Sequence, residues 1–268
     1  MSPPRPTVWQ YLAFSFFLPV IFVGPINSYS TFYSEPFPSR AENADIPQAL
    51  LRMLVGFVKY TFLSSMLSEF GYGIAFLGDS HLHGRADLIL AVLLYPLFLF
   101  CNFSGLCDIA IGASKLMGIS VMENFDQPFR SRNFQEFWSR WHISLSTWMR
   151  VMVFTPVVKS LSRRVGPSNS RHVIALGLML CFILIGLWHG LTVNFVLFGF
   201  SQGLGVVYVH YMTDLLKRKL SKAQYLRYRN SIPMYWVGAV STYLYFAATL
   251  FLFANTIDHA RFILSNIR

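Results

Sequence analysis

Long apolar runs alternate with short polar gaps along the chain, and the runs have the length of membrane-crossing helices. The first runs from Val8 to Ile26, interrupted by Pro19 and closed by Gly24-Pro25-Ile26. Asn27 to Pro47 is polar and turn-rich. Leu50 to Leu67 is apolar again but carries Arg52 and Lys59, which predicts a helix that is tilted or packed inside a bundle. After a polar loop, Gly71 to Asp87, comes Leu88 to Met117, about 30 residues and longer than the roughly 20 that one perpendicular span needs. It contains Asp108 and ends near Lys115, about two helical turns further on along the same face, which predicts an ion pair between them. Gly118 to Arg132 reads as a loop.

Phe134 to Val158 has a different pattern. It is aromatic, yet it holds Glu136, Arg140, His142 and Arg150, too many polar groups for a helix that faces lipid. The hydrocarbon core confines such groups to a protein interior or a wet cavity, so a re-entrant or interfacial helix is expected here. Then His172 to Met212, about 41 residues, contains no Lys, Arg, Asp or Glu and is long enough for two spans. Basic loops flank it, Lys159 to Arg171 on one side and Lys217 to Arg229 on the other. Positive loops stay on the cytoplasmic side, so the apolar stretch goes out and comes back. Its midpoint, at His189 and Gly190, falls toward the extracytoplasmic side at a break between two helices. Met234 to Ala254 is the last run. The expected architecture is a single all-α integral membrane domain over residues 1–268. It is a polytopic transmembrane helical bundle of about six spans plus a re-entrant or interfacial helix around 134–158.

Composition agrees. The chain is 54% hydrophobic and 13% charged, with a mean hydropathy of +0.46, against about a quarter charged in soluble domains. The net charge of +10 comes from basic residues in the gaps between runs, which marks membrane orientation. No basic–aromatic patch of the kind that grips nucleic acid is present, so no nucleic-acid partner is expected. Cys101, Cys107 and Cys181 lie in or beside apolar runs without Cys-x-x-Cys spacing, which supports neither a disulfide framework nor a zinc site. The opening MSPPRPTVWQ lacks a small-residue cleavage site in the usual place and reads as a retained segment. No Walker A, dinucleotide glycine fingerprint, G-x-S-x-G or H-E-x-x-H pattern appears, which argues against an ATPase, a nicotinamide enzyme and the familiar hydrolases.

Several side chains could carry chemistry. His189, in GLWHG, is a natural general base: a neutral imidazole in a dry pocket accepts a proton from a hydroxyl. Its bland alternative is an interfacial histidine that ends a helix beside Trp188. His142 sits in EFWSRWHISLSTWMR, where composition favours an amphipathic surface helix anchored by Trp138, Trp141 and Trp148. Asp108, in NFSGLCDIAIG, needs a partner at membrane depth, and the glycines around it allow close helix packing. His81 and His83, with Asp79, could bind a metal, but a solvated loop fits better. His172, His210 and His259 stand at span ends.

The segment ENFDQPFRSRNFQEFWSRWHISLSTWMR, Glu123 to Arg150, resembles the central signature of the membrane-bound O-acyltransferase family, in the branch of alginate O-acetyltransferases and teichoic acid D-alanyl transfer proteins. NFSGLCDIAIGASKLMGI is similar to the segment that precedes that signature. GLWHG with Phe195 to Gly203 resembles the family's second histidine motif, and the run that ends in GPI is similar in kind. The motifs follow the family's order over roughly residues 10–210.

The resemblance implies transfer of a short acyl group, acetyl foremost, from a thioester donor to a hydroxyl of an extracytoplasmic polysaccharide or similar acceptor. The family's invariant histidine falls on His189, which would be the general base. The companion histidine falls on His142, which would assist or hold the site. Asp108, Arg140, Trp188 and Asn194 are the further candidates for substrate contact. No tightly bound cofactor and no metal are implied; acyl-CoA or an acyl carrier protein would be the co-substrate. The implied partners are membrane lipid, donor, acceptor and accessory acyl-transfer proteins, and the implied location is the cell membrane, the inner one in a bacterium.

Two departures stand out. Family members are longer, and the resemblance implies that the chain corresponds to the part that follows their N-terminal helices. After Trp148-Met149-Arg150 the family continues with an aspartate and aromatic residues, whereas this chain reads Val151-Met152-Val153-Phe154. A non-catalytic membrane subunit therefore stays open as an alternative. So does a transporter with Asp108 and His189 on an ion path.

Overall fold

The computed structural model describes residues 7–21, 23–33, 45–71 and 84–266. The histidine pair at 81 and 83, and Asp79, lie outside them. Helices dominate. α1 (Val8–Ser15), α2 (Leu18–Ile21) and α3 (Tyr29–Phe32) are short. α1 opens on a capping box between Thr7 and Gln10. It stops before Pro19, which has no N–H for a continuing helix and is tolerated only in the first turn of the next one. The first apolar run is thus two short helices. Phe17 and Phe32 pack with Ile119 into a small aromatic core there.

α4 (Ile46–Ser68) and α5 (Arg85–Leu116) follow. Next come α6 (Phe134–Arg140), α7 (Ile143–Met149) and α8 (Thr155–Val165). α9 (Ser170–His189) and α10 (Val193–Lys219) precede α11 (Lys222–Arg229), α12 (Ile232–Ala254) and α13 (Ile257–Asn266). Among the described residues 5 helices, α4, α5, α9, α10 and α12, are long and apolar enough to cross a membrane. The Leu50–Leu67 run, with its Arg52 and Lys59, is one of them.

The chain divides into two compact units. One holds Met1–Leu67, Leu97–Asp126 and His142–Leu145; the other holds Ser68–Pro96, Gln127–Trp141 and Ser146–Arg268. α5 runs through both, and its Pro96 marks the boundary. A proline inside a helix has no N–H to give the carbonyl four residues back, here that of Val92. Tyr243 of α12 donates its hydroxyl to the adjacent carbonyl, Leu93 O, at 2.5 Å.

In the first unit α4 lies on α5 through small residues. A Cβ on Gly56 would stand 2.7 Å from Gly105 O, and one on Gly112 would stand 2.8 Å from Ala49 O. Apolar burial gives no preference for a neighbouring helix over lipid, so close backbone approach of this kind is what holds membrane helices together. α5 ends in a Schellman turn. Gly118 takes φ 66, its N–H bonds Lys115 O, and Ile119 N–H bonds Ser114 O, each at 2.9 Å. The turn sends residues 119–126 back along α5.

In the second unit the charge-free stretch is a hairpin of α9 and α10, broken at Gly190 as its length and flanks predict. Gly186 and Gly199 meet at the crossing, with a Cβ on Gly186 only 3.0 Å from Gly199 Cα and pressed on Phe195 O. A Gly199→Leu change should overpack this crossing at about 1–3 kcal/mol. A drop of several degrees in the thermal midpoint of the detergent-solubilised protein checks it. Arg171 and the basic residues Lys217, Arg218 and Lys219 share one end of the hairpin, since Asp214 pairs with both Arg171 (3.7 Å) and Arg218 (3.0 Å). His189 stands at the other end.

The segment 134–158 is not one helix. It breaks at Trp141–His142 and again at a π-helical turn, Arg150–Phe154, where Thr155 Oγ1 donates to the displaced Arg150 O at 2.7 Å. Trp138 and Trp141 are buried, not interfacial, and Trp148 alone of the three is exposed. Phe137 and Trp141 pack on Phe246 of α12 (4.4 and 5.0 Å between centroids), and Trp138 packs on Phe182 of α9 (4.9 Å). Helical amphipathicity alone does not distinguish a headgroup layer from a protein core, which is why the pattern read as a surface helix.

Candidate functional site

The candidate residues fall into separate local groups. In the first unit a set of charges sits on the α4–α5 contact. Asp108 accepts from Arg52 Nε at 3.1 Å and from Lys59 Nζ at 2.7 Å. Arg52 also clamps the Glu123 carboxylate with both terminal nitrogens. Arg52 and Lys59 stand about two helical turns apart on one face of α4, with Gly56 between them against Gly105. The small-residue contact therefore brings both cations onto Asp108, and the group is formally neutral. The pairing of Asp108 with Lys115 does not form: Lys115 donates to Gln48 Oε1 at 2.9 Å instead. Same-face spacing along α5 was a sound local argument, but α4 supplied nearer cations.

Beside this cluster lies His142, 7% exposed. Its backbone is left-handed, φ 47, a strained conformation costing on the order of 1 kcal/mol. That turn ends α6 and points the ring against Phe103 (4.8 Å, edge to face) and Asn124. Asn124 is 1% exposed and binds around itself. Its Oδ1 receives Ser144 N–H (3.1 Å), Ser144 Oγ (2.7 Å) and His142 Nδ1 (3.2 Å); its Nδ2 donates to Cys107 Sγ (3.3 Å); its carbonyl receives Ile143 N–H (3.0 Å). Ser144 Oγ in turn accepts Ile26 N–H at 2.9 Å, so the GPI segment ends on the same network. The sequence reading missed Asn124 and Glu123. They lie in a polar loop with no periodicity, and the only signal was their place at the head of ENFDQPF.

In the second unit His189 is the last residue of α9, and its surroundings are aromatic rather than polar. The rings of Trp188 (4.8 Å), Phe253 (4.9 Å), Phe195 and Phe198 (both 6.1 Å) surround it. Gly190 makes room: a Cβ there would come within 2.6 Å of the Phe195 ring. Gly190→Ala should therefore push Phe195 out of this box and lower any His189-dependent rate severalfold while the fold survives. Rate and circular dichroism measured on one preparation check this. Trp188 is 62% exposed and meets His189 edge to face. Asn194 is buried in the first turn of α10 and donates to Leu252 O at 3.4 Å, tying α10 to α12. Arg140 pairs with Glu136 at 2.9 Å, one turn earlier on α6. Among the described residues no group of three or more His, Cys, Asp or Glu is placed to hold a metal ion.

The structure is that of a helical membrane protein with one histidine at an apolar helix break and another in a buried hydrogen-bonded network, and an ionisable side chain at membrane depth marks a candidate functional site. The chain belongs to the membrane-bound O-acyltransferase family, whose model matches residues 3–254. It is 32% identical to the teichoic acid D-alanyltransferase of Bacillus subtilis over 71% of this chain and 48% of that protein. It is 32% identical to the protein of Pseudomonas aeruginosa named Probable alginate O-acetylase AlgI, over 76% of this chain and 37% of that one. It is 33% identical to the peptidoglycan O-acetyltransferase of Helicobacter pylori, over 42% and 20%. The chain thus spans half or less of the length of each of these relatives.

Proposed function

We propose that the chain transfers a short acyl group, acetyl foremost, from a thioester donor to a hydroxyl of an extracytoplasmic polymer. The observation that carries the reading is His189, an imidazole in an aromatic box at the break of the charge-free hairpin, within the segment matched by the family model. The named relatives act on teichoic acid, alginate and peptidoglycan, which supports a polymer acceptor. The basic end of the hairpin supports a cytoplasmic side for Arg171 and Lys217–Lys219 and an extracytoplasmic side for His189, in a cell membrane.

His189 accepts the acceptor's hydroxyl proton as that oxygen bonds to the thioester carbonyl carbon. Collapse of the tetrahedral adduct breaks the carbon–sulfur bond, and the departing thiolate takes the proton from the imidazolium. His142 is the assisting histidine. Arg140, Asn194, Trp188 and Asp108 are the further candidates for substrate contact. The reaction needs no resident cofactor or metal; acyl-CoA or an acyl carrier protein is a co-substrate, and accessory acyl-transfer proteins are partners.

The test gives membranes containing the chain a radiolabelled short-chain acyl thioester and envelope polysaccharide. Base-labile label should reach the polymer, above the level in membranes lacking the chain. If the chain is inserted and folded yet adds nothing over that background, it is a non-catalytic membrane subunit and the proposal fails.

A further inference from the structure

The hydrogen bonds around Asn124 have a fixed polarity that backbone groups impose. Ser144 N–H can only donate, so the Asn124 atom 3.1 Å from it is the amide oxygen. Ile26 N–H can only donate, so Ser144 Oγ accepts from it and has its own proton left for Asn124 Oδ1. The third group on that oxygen, His142 Nδ1, must then donate as well. In a neutral imidazole one ring nitrogen donates and the other accepts, and the bond made by one decides the role of the other.

We infer that Asn124 is a positioning residue that holds neutral His142 as the Nδ1–H tautomer, with the lone pair on Nε2. The inference rests on the reading of His142 as the assisting histidine of an acyl transfer. Two neighbouring pairs of residues hold Asn124 in place. Cys107 and Asp108 are adjacent on α5, and Glu123 and Asn124 are adjacent on the returning loop. Cys107 Sγ receives the Asn124 amide directly, while Arg52 ties Asp108 to Glu123. The charged cluster on the α4–α5 contact thereby fixes the loop that orients the histidine. With the hydrogen on Nδ1, Nε2 is the nitrogen able to accept a proton. The opposite tautomer would place two acceptors against each other at Asn124 Oδ1.

Nitrogen-15 NMR of the histidine-labelled full chain in lipid vesicles tests this, at a pH about two units above the ordinary histidine value near 6.5. The His142 signals are identified by their loss in His142→Gln. Wild type should show a protonated-type signal at Nδ1 and an imine-type signal at Nε2. Asn124→Leu should move the proton to Nε2 or split the population, and Asn124→Asp, which keeps an acceptor, should restore the wild-type pattern. An Nε2–H tautomer in wild type overturns the proposal, and that spectrum decides the matter even if Asn124→Leu does not fold. A wild-type pattern in folded Asn124→Leu overturns it too. In the label-transfer assay Asn124→Leu should lower kcat at least tenfold with the thioester KM within twofold, and Asn124→Asp should recover most of it. If wild type transfers no label, the acyl-transfer reading fails while the spectrum still reports the tautomer.

Discussion

Replacing His189 by glutamine should reduce acyl transfer by a factor of about 10²–10⁴, the range that one well-placed general base contributes. Glutamine keeps a polar side chain at the end of α9 and fills part of the ring's volume, but it cannot take a proton from a hydroxyl. The ring is held by its aromatic neighbours Trp188, Phe253, Phe195 and Phe198, so its loss opens a small gap among groups that can partly close it. Stability should therefore change far less than rate. The loss should fall on kcat, since the base acts as the acceptor oxygen attacks, with the thioester KM within a fewfold of wild type. Trp188→Phe is the companion variant: it preserves an aromatic edge beside His189 and should stay within a few fold. Rates and thermal midpoints of both variants, measured in the same membranes, separate the readings. His189→Gln transferring label within threefold of wild type would remove His189 from the chemistry.

What the sequence revealed of this fold depended on whether the signal was local. The α9–α10 hairpin and its break at His189 and Gly190 were legible because a stretch without Lys, Arg, Asp or Glu has one economical arrangement between two basic flanks. The division of the first apolar run was signalled by Pro19, which has no N–H to continue a helix. The break at His142 carried no such mark: RWHIS has no glycine or proline, and the left-handed backbone there is held by tertiary hydrogen bonds to Asn124. Asp108 shows the same limit from the other side. The sequence showed that it needed a cation and offered Lys115 on the same face, whereas the cations it takes are Arg52 and Lys59 of α4. That pairing rests on Gly56 and Gly105 letting two backbones touch. The tryptophans at 138 and 141 were legible as anchors but not as core, because their partners Phe182 and Phe246 lie far along the chain.

The charge cluster on α4 and α5 makes a sharper prediction than any single deletion. Asp108→Asn leaves Arg52 and Lys59 with only Glu123 to offset them. Removing one partner of a fully buried pair costs about 3–5 kcal/mol. Here the side chains of Asp108, Arg52 and Lys59 are 14%, 21% and 28% exposed, so some solvent screening remains. A loss of about 2–3 kcal/mol is expected, which lowers the thermal midpoint by roughly 4–12 °C for a domain near this size. Lys59→Met alone should cost less, because Asp108 keeps Arg52. The double change Asp108→Asn with Lys59→Met restores neutrality: the Arg52–Glu123 clamp is left as a complete pair, and methionine is at ease among the apolar groups of α4. The double variant should therefore be more stable than Asp108→Asn alone, by at least about 1 kcal/mol, the sign of direct coupling in a double-mutant cycle. Thermal unfolding of the four proteins in one detergent measures the cycle. Strict additivity would mean that the Lys59–Asp108 contact, close as it is, contributes nothing at membrane depth. The structure predicts otherwise, because a part-buried cation in a membrane helix that has lost its carboxylate keeps only partial screening in place of its partner.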